Sequence, residues 1–71
     1  MAYIRKYIVG FEVDGIEHLG LSIIGEDFVT VEYGGDEKSR LIGNLTADVV
    51  AKQLLGEMVM DKLERDALYV A

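Results

Sequence analysis

A chain of 71 residues that is 51% apolar and 28% charged is one small domain, too hydrophobic to stay disordered. With no cysteine and one histidine, it has neither a disulfide framework nor a histidine and cysteine metal centre to support its core. Thirteen acidic residues against seven basic ones give a net charge of −6, which opposes binding to a phosphate backbone, and no run of 18 apolar residues exists to span a membrane as a helix.

The first residues, Met1 to Lys6, carry charge inside an apolar run and offer no cleavage site, so no signal peptide is expected. The lack of cysteine fits a cytoplasmic location. Residues 3–13 alternate as a strand, with Tyr7, Val9, Phe11 and Val13 on one face and Lys6, Ile8, Gly10 and Glu12 on the other. Asp14-Gly15 is a hairpin turn signal. A second strand at 17–24 contributes Leu19, Leu21 and Ile23, a third at 28–33 contributes Val29, Val31 and Tyr33, and a short fourth at 39–43 contributes Leu41.

Two registers compete for the first hairpin. A strict two-residue loop sets Glu12 against Glu17 and Phe11 against His18, whereas one added residue pairs Phe11 with Leu19, Val9 with Leu21 and Tyr7 with Ile23 as a continuous apolar ladder. The ladder is the expected register. Its continuation pairs Ile23 with Val29, Leu21 with Val31 and Leu19 with Tyr33, then Val31 with Leu41 and Glu32 with Arg40. It also sets Gly10 beside Gly20 on the opposite face, as a trough that a small molecule or a peptide backbone can approach.

A helix is expected at 46–66. Thr46 caps it, Asp48 faces the positive end of its dipole, and Ala47, Val50, Ala51, Leu54, Leu55, Met58 and Val59 form one broad apolar face. Residues 67–71 are compatible with either a longer helix or an edge strand. Val49, Gly56, Met60 and Leu63 recur at spacings of seven, four and three as a second stripe. Glycine costs about 1 kcal/mol relative to alanine inside a helix, and close approach of another backbone is a common compensation, so this stripe is the expected homodimer interface.

The architecture expected is therefore α+β: a four-stranded antiparallel meander with one C-terminal helix on one face. No cofactor or enzymatic site is expected. His18 and Ser22, four residues apart on a strand, are separated by about 13 Å, too far for a base and its nucleophile. Gly34-Gly35-Asp36-Glu37 echoes four letters of the diguanylate cyclase signature, but those domains are far longer and Lys38 replaces the following aromatic, so the run reads as a turn. The topology brings Glu12, Asp14, Glu17, Asp36 and Glu37 to one pole with Glu64 and Asp66, a docking surface for a protein partner with a basic surface. The function expected is that of a small acidic homodimeric interaction protein, a regulator or inhibitor of another protein, with a small-molecule or peptide sensor as the alternative.

Overall fold

The computed structural model describes residues 4–69, with side chains through residue 67. Four strands, β1 (Arg5–Val13), β2 (Ile16–Ile24), β3 (Phe28–Tyr33) and β4 (Asp36–Leu41), form one antiparallel sheet in sequence order, and helix α1 (Ala47–Tyr69) follows. This is the expected α+β meander. The helix runs on through residues 67–69, and residues 70–71, like residues 1–3 at the expected start of β1, lie outside the described residues. No helix among the described residues is long and apolar enough to cross a membrane.

The strand register differs from the apolar ladder. Val13 pairs with Ile16, Glu12 with Glu17, Phe11 with His18, Gly10 with Leu19 and Val9 with Gly20. Asp14 and Gly15 take φ of 51° and 80°, so the chain reverses in two residues by the turn whose twist matches that of the strands it joins. The other two hairpins shift with it. Ile24 pairs with Val29, Ser22 with Val31 and Leu21 with Glu32, and a second two-residue turn at Gly34-Gly35 starts β4 at Asp36, three residues before its expected start. Val31 consequently faces Lys38, and Arg40 pairs with Val29, not with Glu32.

One residue of slip exchanges the two faces of a strand. Toward the helix, β2 therefore turns His18, Gly20, Ser22 and Ile24, while Leu19, Leu21 and Ile23 point away. This inversion has a packing cause. Val9, Val29 and Val31 meet Val50, Ala51, Leu54, Leu55, Met58 and Val59 in the core, and the small residues of β2 let the helix settle deeply between β1 and β3. A Cβ added at Gly20 would stand 2.9 Å from Leu55 Cδ1 and 3.1 Å from the Glu32 carbonyl oxygen. Large side chains at these β2 positions would hold the helix off the sheet.

The helix starts as its sequence dictates: the Val49 N–H donates to Thr46 Oγ1 at 3.3 Å, and the Val50 N–H to the Thr46 carbonyl at 3.1 Å. The Tyr7 hydroxyl donates to Asp48 Oδ1 at 2.9 Å, tying β1 to the first helical turn. Burial, reinforced by that bond, holds the Tyr7 phenol above its ordinary pKa.

Gly10 and Gly20 provide a direct test of this register, because they now lie on opposite faces. Gly20→Ala should destabilise the protein by about 1–3 kcal/mol through overpacking. Gly10→Ala, which meets only the flexible Glu17 side chain, should stay within about 0.5 kcal/mol of the parent in urea denaturation. Equal effects would restore the expected ladder.

Candidate functional site

Turning Leu19, Leu21 and Ile23 outward leaves the sheet with two apolar faces and one helix. On the uncovered face Ile8 lies beside Leu21, Ile23 is flanked by Lys6 and Thr30, and Phe28 pairs with Leu41. Several of these side chains are open to solvent, Ile8 by 65%, Leu19 by 56% and Leu41 by 73%. A contiguous exposed apolar stretch marks a candidate binding surface.

Carboxylates border this face at one end. Glu12 pairs directly with Glu17, and Glu32 with Glu37, all four on the outer side. A hollow of about 410 Å³ lies where Ile8, Leu19 and Leu21 meet Glu32 and Glu37. The expected trough does not form: Gly10 points outward beneath the Glu17 side chain, Gly20 points inward against Leu55, and the surface proposed for a sensor loses its two-glycine floor.

The acidic pole is present but divided. Both the Asp14-Gly15 and Gly34-Gly35 turns point to the same end of the sheet, and the helix ends there as well, with Arg65 donating to Asp36 Oδ2 at 3.3 Å. The β1–β2 hairpin ends at the Val13–Ile16 pair and the β3–β4 hairpin at Tyr33–Asp36, level with Gly20, so the β1–β2 arm projects beyond the shorter hairpin by about four residues, or about 13 Å. Glu12, Asp14 and Glu17 ride on that arm, whereas Asp36 and Glu37 stand beside the helix end with Glu64 and Asp66 nearby in sequence to Arg65.

The second helical stripe is also changed. Val49, Met60 and Leu63 are exposed, but Gly56 is buried by its own chain: a Cβ there would stand 2.9 Å from Phe11 Cε1. The close neighbour that glycine admits is an aromatic ring from β1, not the backbone of a second copy. Gly56 thus leaves the expected homodimer stripe.

Two polar clusters were not legible as such. Glu57 accepts from Lys38 at 2.9 Å through Oε1 and clasps the Arg40 guanidinium through both carboxylate oxygens, each at 2.9 Å. The Arg40 and Lys38 hydrogen bonds lower the Glu57 carboxyl to about 2. An alternating β4 pattern with two cations on one side was the available signal. At the helix end, His18 Nδ1 lies 2.9 Å from the Tyr33 hydroxyl and the Lys62 ammonium sits 5.6 Å from the Tyr33 ring centroid. His18 shares its face with Ser22, which is wholly buried, and no nucleophile and base come together there. Among the described residues no group of three or more His, Asp or Glu is placed to hold a metal ion.

Two outcomes follow from these contacts. Glu57 has its pKa lowered on folding, so its contribution is complete above the unfolded carboxyl value of 4.5 and is lost as pH falls toward about 2. Because the side chain is 41% exposed, the contribution is about 1 kcal/mol, the scale of screened surface pairs. Glu57→Gln should therefore lower urea stability at pH 7 and converge with the parent toward pH 2; a gap independent of pH would contradict the ion-pair account. For Gly56, alanine should cost stability in the parent yet add about 1 kcal/mol, the helix-propensity gain, when Phe11 is also alanine. Equal effects in both backgrounds would free Gly56 from Phe11.

No protein-family model, curated protein or solved structure matches the chain.

Proposed function

We propose that this chain is a small acidic interaction protein, homodimeric and non-catalytic, which binds another protein and regulates or inhibits it by covering its surface. The observation that supports this is the uncovered sheet face. Its middle is apolar, with Ile8, Leu19, Leu21 and Ile23, and its edge carries Glu12, Glu17, Glu32 and Glu37. An apolar centre with a charged rim is the anatomy of a protein interface.

The chemistry of the face selects its partner. Four carboxylates and a net charge of −6 favour a surface with an apolar centre and basic residues around it, and oppose nucleic acid. Rim charges act mostly on the rate of encounter, while apolar contacts at the centre govern how long the complex lasts. The setting proposed is the cytoplasm.

Affinity capture from the source cell tests the reading with three baits. The parent should retain a stoichiometric protein partner at low salt. Leu19→Asp, at a site already half exposed, should lose that partner while keeping the melting temperature within a few degrees, about 1 kcal/mol. Glu17→Lys with Glu37→Lys should weaken capture at low salt and leave folding nearly unchanged, since exposed charges contribute little to stability. Identical retention by all three baits would show that this face is not the binding surface.

A further inference from the structure

β1 and β4 are the two edges of the sheet, and their sequences treat that exposure differently. β4 has six residues, four of them charged, which is how natural sheets discourage further pairing. β1 is nine residues long, and Tyr7 to Phe11 at its centre carry no charge, no proline and no bulge. Nothing among the described residues pairs with its outer side.

The Asp14-Gly15 turn fixes which backbone groups that edge presents. A two-residue turn makes Val13 and Ile16 a hydrogen-bonded pair, so the odd residues of β1 bond to β2. Lys6, Ile8, Gly10 and Glu12 consequently aim their N–H and C=O groups outward. A second copy related by a two-fold axis can join this edge only in registers that pair even residues with even ones.

We propose that the homodimer forms by antiparallel pairing of β1 with β1 of a second copy, about a two-fold axis at Val9. This rests on the homodimeric part of the function proposed above and assigns it a place. With Val9 opposite its own copy, Lys6 faces Glu12 of the second copy, Ile8 faces Gly10, and Tyr7 faces Phe11, each pair occurring twice. Opposite charges meet on the outer side and aromatic rings meet on the helix side, both favourable cross-strand combinations. Shifting the axis by one residue in either direction removes the Lys6 to Glu12 match.

An independent feature points to a cation at the same place. Glu12 is paired directly with Glu17 within its own sheet, an unfavourable arrangement that has no basic neighbour at that level of β1 or β2. Lys6 of the second copy completes the row on the open side of Glu12. The pairing also closes the hollow of about 400 Å³ along the β1 edge, where Val49 and Lys52 overhang Tyr7, Val9 and Gly10. It joins the two outer faces into one eight-stranded surface, with both helices on the opposite side.

Charge exchange and cross-linking test the placement together. In light scattering at about 50 µM, where weak dimers assemble, the parent should have the mass of a dimer. Lys6→Glu and Glu12→Lys should each weaken dimerisation about tenfold, since each alters two symmetric pairs, and the double exchange should restore it to within about threefold. The chain has no cysteine of its own, so Lys6→Cys with Glu12→Cys adds an unambiguous readout. Paired residues lie about 5.5 Å apart, within disulfide range, whereas 6 and 12 of one strand are about 20 Å apart. The double-cysteine protein should form a covalent dimer under mild oxidation, and neither single variant should. A dimer that ignores both charge reversals and does not cross-link would overturn the β1 placement and leave the homodimer standing. A monomeric parent that also fails to cross-link would overturn both.

Discussion

Asp14 and Gly15 reverse the chain in two residues, and both adopt a left-handed backbone that the flanking strands require. That reversal decides which half of β2 meets the helix. Side chains alternate strictly along a strand, so no later element can correct the choice. Gly20 and Ser22 are committed to the core, Leu19, Leu21 and Ile23 to the outer face, and the even residues of β1 to an open edge.

The rest of the packing follows from that commitment. Small residues on β2 let Leu55 reach the sheet, and the glycine at 56 lets Phe11 fold against the helix from the other side of the contact. The core is consequently built mainly from β1, β3 and the helix, with β2 as a low floor between them. β4 contributes no large buried residue. It is held to the helix by the Lys38, Arg40 and Glu57 cluster, which also places charge along an edge strand.

Much of this architecture can be read from the chain, because helix α1 has a clear period and each turn has its own chemistry. Every residue assigned to the core stripe of the helix is buried or packed against the core, and the Thr46 cap is in place. What misleads is the assumption that the most apolar half of each strand faces inward. β2 has Leu19, Leu21 and Ile23 on one side and Gly20 and Ser22 on the other, and periodicity alone ranks the first side as core. The turn dipeptide carried the contrary information, and it is local chemistry that no pattern over nine residues can outweigh. The site suffers from two separate causes: the two-glycine trough is lost to the slip of β2, whereas Gly56 is filled by Phe11, which faces the helix in either register. The acidic residues survive it better, since a pole requires only topology and not parity.

The meander also has a temporal side. Each strand pairs only with its neighbours in sequence, and each hairpin closes over a very short loop, so the entropy lost in forming the sheet comes in small steps. Docking of the helix onto β1 is different. Tyr7 and Asp48 lie 41 positions apart, and Phe11 and Gly56 still farther, so these contacts close more than half of the chain into one loop. The seal between β1 and the helix therefore carries a larger closure cost than any hairpin of the sheet. Undocking of the helix would expose the valines of the inner face on a sheet whose outer face is already apolar, leaving both faces open to aggregation.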